Sequence, residues 1–263
     1  MAKIIALCNQ KGGVGKTTTA INLAASLSVS EKKTLLVDCD PQANTTSGLG
    51  IDKSTINTNI YNLILGDGDP SQAVIKTGLS YLDLIPSTNN LVGAEVELVG
   101  LDEREFKLKK ALSSLSANYE YILIDSPPSL GLLTLNGLVA AESVLIPVQC
   151  EYYALEGLSE LLKTIDLVRS SLNPTLSVAG ILLTMFDARN NLARQVEEEL
   201  RKHFKETVFQ TVIPRNVRLS EAPSHGKPVL LYDVKSRGAQ SYLELTKEFL
   251  ERMERVGKEV VNL

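Results

Sequence analysis

The sequence predicts an α/β fold in which a doubly wound, mainly parallel sheet is flanked by helices. Short apolar runs that do not alternate with polar residues recur along the chain, as expected for strands buried on both faces. Helical patterns separate these runs, and strands that alternate with helices indicate a parallel sheet. Polar residues lie at the carboxyl ends of several of these runs, namely Asn9, Asp38, Asp125 and Thr184. We therefore expect a ligand site at the carboxyl edge of the sheet.

The predicted strands cover residues 3–8, 34–38, 121–125, 143–147 and 178–184. The predicted helices cover residues 17–29, 101–117, 130–141, 155–171, 190–204 and 237–255. The region 44–80 is rich in Asn, Thr, Ser, Gly and Asp, so we expect surface loops and short helices there. The last helix carries an apolar stripe, typical of a helix that docks on the domain, formed by Tyr242, Leu245, Phe249, Met253, Val256 and Val260.

Length and composition favour one domain over residues 1–263, because the chain has 263 residues and 44% of them are hydrophobic. No apolar run approaches the roughly 18 residues of a membrane span, and the N-terminus enters a strand without a signal-like segment. We expect a soluble, cytoplasmic protein. Cys8, Cys39 and Cys150 are odd in number and lack metal-ligand spacing, which predicts buried free thiols.

The charge is unevenly distributed along a chain whose net charge is −4. Residues 207–243 carry five Lys and Arg side chains against two acidic ones. This excess allows a modest basic face in the last third of the chain, and an ordinary mixed surface is the alternative.

Residues 11–18 read Lys-Gly-Gly-Val-Gly-Lys-Thr-Thr and lie between the first predicted strand and the first predicted helix. Glycines let successive N–H groups converge on phosphate oxygens, and the helix N-terminus attracts the same anion. Lys16 would reach the terminal phosphates, and the Thr17 hydroxyl would bind Mg²⁺. The alternative is a turn that binds nothing. We expect phosphate contacts from Lys11, Gly12, Gly13, Val14, Gly15, Lys16, Thr17 and Thr18.

Three carboxylates follow predicted strands. Asp125 ends Ile-Leu-Ile-Asp, where a nucleotide-binding sheet places an acid that holds the metal through water. Asp38 and Asp40 alternate after the second strand, so only one of them can easily face the phosphates. A capping or turn role for the other remains open. Lys11 is an additional cation at the loop, and it could neutralise phosphate on its own nucleotide or across a dimer interface.

These residues resemble the ParA/Soj family of chromosome-partitioning ATPases, whose fold is of the P-loop type. Residues 11–18 match its deviant Walker A motif, and Asp-Cys-Asp-Pro-Gln at 38–42 resembles its A-prime motif. Residues 147–157, 183–189 and 212–228 are also similar to segments of this family. The resemblance extends over roughly residues 3–250. The related septum-site ATPase MinD shares the first motifs and lacks the later ones.

The resemblance implies ATP and Mg²⁺ as ligands and assigns roles to individual residues. Lys11 looks like the signature lysine that reaches the partner subunit's ATP, and Gly12 falls at the seam of the dimer. The implied catalytic residues are Lys11, Lys16 and Asp40, of which Asp40 positions the attacking water. The implied metal site uses Thr17 and, through water, Asp125. The residues that would border adenine are Met185, Pro214, Arg215 and Asn216.

The resemblance also implies partners. ATP binding would produce a homodimer that binds double-stranded DNA nonspecifically through Arg189 and Arg218, although each could be an ordinary surface arginine. A ParB-type centromere-binding protein would accelerate an otherwise weak hydrolysis, and the protein would associate with the nucleoid. A further role in replication control stays open. Because the first strand begins at Lys3, we expect no separate N-terminal DNA-binding domain.

Two alternatives belong to other functional classes. A MinD-like membrane ATPase would need a basic amphipathic C-terminal helix, whereas the polar face of this helix mixes Glu with Lys and Arg. We therefore expect no membrane partner. A metal-cluster protein of the same superfamily, such as a nitrogenase iron protein, would need paired cysteines, and the three cysteines provide no C-x-x-C motif.

Overall fold

The computed structural model describes residues 1–66 and 68–261, with side chains up to residue 255. One sheet of seven strands runs through the described part of the chain in the order β3-β4-β2-β5-β1-β6-β7. The strands are β1 Lys3–Leu7, β2 Thr34–Asp38, β3 Ile75–Lys76, β4 Leu82–Ile85, β5 Tyr121–Asp125, β6 Ser143–Gln149 and β7 Ser177–Thr184. All neighbouring pairs are parallel except β3 and β4, which are antiparallel. The predicted mainly parallel sheet is confirmed.

Helices cover both faces of the sheet. Those in the described residues are α1 Lys16–Val29, α2 Asn44–Gly48, α3 Ile60–Leu65, α4 Leu91–Glu97, α5 Lys107–Ser113, α6 Leu132–Ala140, α7 Ala154–Ser171, α8 Asn191–Phe204, α9 Val217–Glu221, α10 Val229–Tyr232 and α11 Arg237–Val261. None of them has the length and apolarity that crossing a bilayer requires.

The core is divided by the sheet into two clusters. In β1, Ile5 and Leu7 point to the cluster under α1 and α11, whereas Ala6 points to the cluster under α3 to α8. Strands sandwiched in this way are buried on both faces, which explains their continuous apolar sequences. Each fully buried aliphatic side chain contributes roughly 1.5–3 kcal/mol. Burial on both faces therefore holds the central strands in place, together with the carboxyl edge of the sheet at which they end.

The predicted stripe of α11 packs against this core over its described part. Tyr242, Leu245, Phe249 and Met253 are buried in the cluster with α1. The side chains of Val256 and Val260 lie outside the described residues.

A continuous helix over residues 101–117 is wrong. The chain instead makes a 3₁₀ turn at Arg104–Phe106, then α5, then a second 3₁₀ turn at Ser116–Asn118. Asn136 of α6 explains the interruption, because its Oδ1 accepts the Leu108 N–H at 3.1 Å and its Nδ2 donates to the Arg104 carbonyl at 2.8 Å. A side chain from another helix thus takes the backbone groups that a continuous helix would have paired internally.

Strand β4 was not predicted from the sequence, because it carries an acid in a four-residue run. Asp83 is nevertheless buried, and it accepts hydrogen bonds from Lys76 and from the Tyr119 hydroxyl, both at 2.8 Å. The partners satisfy the buried charge and make the strand possible.

Candidate functional site

The loop between β1 and α1 forms an anion-binding shape. Gly13 and Gly15 have φ values of 74° and 86°, in the left-handed region that favours glycine. Gly15 is the N-cap of α1, and among the described residues no side chain caps the N–H groups of the first turn with a hydrogen bond. These donors remain available to a ligand, and the helix dipole favours a negative one.

Side chains from other segments fix the loop to the sheet. The Thr184 hydroxyl at the end of β7 donates to the Val14 carbonyl at 2.7 Å. Asn9 donates to the Pro147 carbonyl of β6 at 2.7 Å and accepts the Lys11 N–H at 3.0 Å. The loop is therefore held in place by β6 and β7.

Lys16, the first residue of α1, is only 6% exposed. Its ammonium group donates to the Lys11 carbonyl at 3.2 Å, back across the loop. Burial lowers the pKa of Lys16, while the nearby Asp125 carboxylate acts in the opposite direction. An anion at the loop would compensate the desolvation of this ammonium.

Asp125 ends β5 and is fully buried. Its Oδ2 accepts the Thr45 hydroxyl at 2.7 Å, whereas its Oδ1 has no hydrogen-bond partner among the described residues. Burial raises the pKa of this carboxyl to about 6, although the Thr45 hydrogen bond and the nearby Thr17 hydroxyl act in the opposite direction. An unpartnered carboxylate oxygen beside the Thr17 hydroxyl suits a hydrated Mg²⁺, which prefers oxygen ligands and keeps several waters.

Asp38, which ends β2, and Asp40, two residues later, have different surroundings. Asp38 is completely buried and accepts three hydrogen bonds, from the Asp40 N–H and from the Thr46 N–H and hydroxyl. Burial, with the neighbouring Asp125, raises its pKa to about 7. Asp40 accepts the Gln42 N–H at 2.9 Å and lines the cavity described next. Asp38 thus shapes the turn, and Asp40 faces the ligand space.

A cavity with a volume of about 500 Å³ opens beside the loop. Its walls come from the loop, from the turn after β2, from the end of β7 and from segment 213–216. The predicted site residues that line it are Gly13, Gly15, Lys16, Thr17, Thr18, Asp40, Met185, Pro214, Arg215 and Asn216. Met185 has φ 48°, a strained backbone for a residue other than glycine. Strain of this kind clusters at ligand sites.

Segment 213–216 is tied to the end of β7. The Phe186 N–H donates to the Ile213 carbonyl at 3.0 Å, and the Arg215 N–H donates to the Phe186 carbonyl at 3.2 Å. Asn216 then caps α9 by accepting the Arg218 N–H. The four residues expected to border adenine therefore lie together on one wall of the cavity.

Lys11 and Gly12 lie at the exposed outer side of the loop. The Lys11 ammonium forms an ion pair with Glu151, just before α7. A side chain added at Gly12 would meet only Pro128, at 3.9 Å, and its φ lies outside the left-handed region. Nothing in the described part of the chain requires a glycine at this position.

Arg189 and Arg218 lie outside the cavity, and their side chains are 90% and 50% exposed. Both are paired with acids of the same chain. Arg189 bonds to Asp187, and Arg218 bonds to Glu221 at 2.7 Å and to Asp233 at 3.3 Å. The predicted basic face is therefore partly neutralised by its own neighbours.

Sequence reasoning missed several residues that line the cavity or support it. These are Gln42, Asn44, Thr45, Pro128, Ser220 and Tyr242. Gln42 is the last residue of the Asp-Cys-Asp-Pro-Gln motif, and Asn44 and Thr45 lie within three residues of its end, so the motif could have identified them. Tyr242 was interpreted as part of an apolar stripe, yet its hydroxyl shares a hydrogen bond with Thr19 at 3.1 Å.

The three cysteines are free and buried, as predicted. Burial raises the pKa of Cys8 and of Cys150 to about 12, and raises that of Cys39 well above its ordinary value. Protonated, separately buried thiols are poor metal ligands and poor nucleophiles.

Comparison with known proteins gives relatives over nearly the whole chain. A family model described as "AAA domain" matches residues 2–178. The chain is 61% identical to the chromosome partitioning protein ParA of Myxococcus xanthus over 96% of this chain and 89% of that protein. It is 59% identical to the sporulation initiation inhibitor protein Soj of Bacillus subtilis, over 94% and 98% of the two chains.

A solved structure supports the same fold. Cobyrinic acid a,c-diamide synthase from Mycobacterium smegmatis, with bound ATP analogue and magnesium, is 36% identical. It matches with a TM-score of 0.85 over 97% of this chain and 96% of that chain.

Proposed function

Because this chain belongs to the ParA/Soj family of chromosome-partitioning ATPases, we propose that it is a DNA-partitioning ATPase switched by ATP. The observation that carries the proposal is a single cavity where the phosphate loop, Asp40 and segment 213–216 converge. A cavity of about 500 Å³ lies in the range of small-molecule sites. Its phosphate end offers the Lys16 ammonium and the N–H groups of the first turn of α1, which are donors that a triphosphate requires.

ATP and Mg²⁺ are the ligands that these residues fit. The loop N–H groups and Lys16 would bind the phosphates, and Thr17 and, through water, Asp125 would hold Mg²⁺. The unpartnered Oδ1 of Asp125 supports this assignment, because a buried carboxylate oxygen without a partner is costly. Bound Mg²⁺ would neutralise charge on the transferred phosphoryl group.

Asp40 is the residue that positions the attacking water. It faces the cavity while Asp38, whose hydrogen bonds are already formed, holds the turn that carries it. Lys16 stabilises the charge that develops during transfer, and Lys11 adds a second cation. Weak intrinsic hydrolysis fits this arrangement, since Lys11 is paired with Glu151 in the single chain.

A homodimer would complete the site. Lys11 lies on the exposed side of the loop, so its ammonium can reach a nucleotide held by a second copy of the chain. Gly12 supports this interpretation. Among the described residues of one subunit a Cβ there would meet only Pro128, at 3.9 Å, so a close approach by a second subunit would give the glycine its role.

DNA binding and release would follow the nucleotide state. Closure of two subunits brings both copies of Arg189 and Arg218 to one surface, which doubles the phosphate contacts and makes nonspecific binding strongly salt-dependent. A ParB-type partner would accelerate hydrolysis and return the protein to monomers. The protein would associate with the nucleoid in the cytoplasm.

The test is DNA binding measured with ATP, with ADP and without nucleotide. We expect retardation of a linear duplex only with ATP, together with a shift to dimer on a sizing column. Binding that does not depend on ATP would contradict the switch. Sedimentation with anionic liposomes in the same three states separates this function from a membrane ATPase.

A further inference from the structure

Arg189, which the proposed function places against DNA, is already bound by an acid of its own chain. Its Nε donates to Asp187 Oδ1 at 2.9 Å, and its Nη2 donates to Oδ2 at 2.8 Å. Two parallel hydrogen bonds are the geometry by which a guanidinium group recognises either a carboxylate or a phosphate. Asp187 therefore occupies the same donors that a DNA phosphate would use.

Asp187 is held in position by the turn that precedes α8. Its Oδ1 also accepts the Arg189 N–H at 3.1 Å, and its carbonyl accepts the Asn190 N–H at 3.0 Å. Asn190 then caps α8 by accepting the Leu192 N–H. Hydrogen bonds from Arg189 lower the pKa of Asp187 to about 2, so the carboxylate stays charged at neutral pH.

The same segment touches the nucleotide cavity. Met185 lines that cavity with a left-handed backbone, only two residues before Asp187. Phe186, between them, exchanges backbone hydrogen bonds with Ile213 and Arg215 of the cavity-lining segment 213–216. Any ligand that moves Met185 or Arg215 therefore also acts on the backbone that carries Asp187.

We propose that Asp187 competes with DNA phosphate for Arg189, and that segment 185–189 couples this competition to the nucleotide bound in the cavity. With ATP bound the segment releases Arg189, and without ATP Asp187 retains it. The inference rests on the proposed function, because it takes Arg189 as a phosphate ligand.

The strength of the pair suits this role. The Arg189 side chain is 90% exposed and that of Asp187 is 32% exposed. An exposed ion pair changes an equilibrium by no more than roughly fivefold. DNA phosphate can therefore displace the carboxylate, and the carboxylate still lowers DNA affinity measurably.

Arg218 provides the contrast. It is paired with Glu221 and Asp233, and the Tyr232 hydroxyl holds Glu221 at 3.2 Å. Neither of these acids lines the nucleotide cavity. Ser220, beside Glu221, does line it, but Arg218 is shared by two acids, whereas among the described residues Arg189 is paired with Asp187 alone, so a single substitution can free it.

The substitution Asp187→Asn tests the proposal in the full chain. Asparagine keeps an oxygen for the Arg189 N–H and so preserves the turn, but it removes the negative charge. Dissociation constants are measured for a linear duplex of mixed sequence, by fluorescence anisotropy, over a salt series with ATP, with ADP and without nucleotide. Asp166→Asn is the matched control, because it removes a similar exposed pair with Arg169 on α7.

We expect Asp187→Asn to raise DNA affinity roughly two- to fivefold for each subunit, and most strongly without ATP. The gain should shrink as salt rises, since salt screens exposed charges. The control should change affinity in none of the three states. If asparagine destabilises the turn, Asp187→Ser provides the same test, because its hydroxyl can accept the same N–H.

A double-mutant cycle with Arg189→Ala identifies the mechanism. The gain from Asp187→Asn should vanish when Arg189 is absent. A gain that persists there would reflect general charge and would overturn the proposal, as would an equal gain with ATP and with ADP. If wild type binds DNA with ATP and Asp187→Asn binds no better in any state, only this inference fails. If wild type does not bind DNA with ATP, the proposed function fails and this inference with it.

Discussion

The charged groups around the carboxyl edge of the sheet form two sets that differ in burial. The buried edge, almost completely removed from solvent, comprises Lys16, Asp38, Asp40 and Asp125. The exposed rim comprises three cations whose side chains are 42% to 90% exposed, together with the acids that pair with them. The pairs are Lys11 with Glu151, Arg189 with Asp187, and Arg218 with Glu221.

Burial decides what each set can do. On the buried edge, desolvation shifts the pKa of Lys16, Asp38 and Asp125. Hydrogen bonds within the chain hold these three side chains in position. On the exposed rim, ion pairs are weak and can be exchanged for other partners. The buried edge therefore suits phosphoryl chemistry, and the exposed rim suits contacts that form and break with each cycle.

Replacing a cation of each set gives the largest expected contrast. Lys16→Ala should lower nucleotide affinity at least about a hundredfold, because it removes a buried positive charge from the phosphate loop. Lys11→Ala, on the exposed rim, should lower the affinity of the monomer less than about tenfold. Calorimetric titration with ATP and Mg²⁺ measures both. Equal losses would abolish the distinction between the two sets.

Removing the carboxylate of the buried edge that faces the cavity should affect turnover. Asp40→Ala should slow hydrolysis by about a hundredfold or more, since the attacking water loses its positioning group. The ATP-bound dimer should then accumulate. Phosphate release and sizing chromatography with ATP measure the two effects, with Asp166→Ala as the control. A variant that stays monomeric with ATP would refute this role for Asp40.

Between about pH 4 and pH 7, the buried edge should contribute strongly to the pH dependence of stability. The folded-state pKa of Asp38 is about 7, against about 4 in an unfolded chain, so the folded protein binds the extra proton between these values. The free energy of unfolding of the nucleotide-free protein should therefore fall as pH rises from about 4 to about 7. Asp187 of the exposed rim, with a pKa of about 2, acts with the opposite sign and mainly below this window.

Urea unfolding at a series of pH values measures this slope. Asp38→Asn should flatten it relative to wild type, by an amount on the order of a few kcal/mol over the whole window. Parallel slopes in the two proteins would show that Asp38 does not titrate there.

The smallest effect is expected on the exposed rim. Arg189→Glu or Arg218→Glu should lower DNA affinity about tenfold and reduce its salt dependence, while ATP binding and dimer formation persist. Arg169→Glu on α7 is the matched control. Unchanged DNA retardation at moderate salt would remove these arginines from the DNA surface.

The sequence predicted the buried edge better than the exposed rim. Strand ends and a glycine-rich loop are local patterns, and parallel topology places them together, so Lys16 and Asp125 could be located in advance. The choice between Asp38 and Asp40 could not be made locally. That choice depends on Thr46, eight residues after Asp38, because its hydroxyl donates a hydrogen bond to the Asp38 carboxylate.

Contacts between distant segments account for most of what was missed. Asn136 interrupts the expected helix at 101–117, and Tyr119 satisfies the acid in β4. The acids that pair with Arg189 and Arg218 were visible in the sequence. Their pairing was not, because periodicity reports which face a residue occupies and not which neighbour its charge finds.

The three buried cysteines have a practical consequence for measuring these motions. A protonated, enclosed thiol reacts slowly with maleimides, so the folded protein should remain unlabelled at Cys8, Cys39 and Cys150. A single cysteine introduced at an exposed position, such as Ser170→Cys, would then carry a fluorophore selectively. Subunit closure could be followed by energy transfer between two labelled chains without first removing a native cysteine.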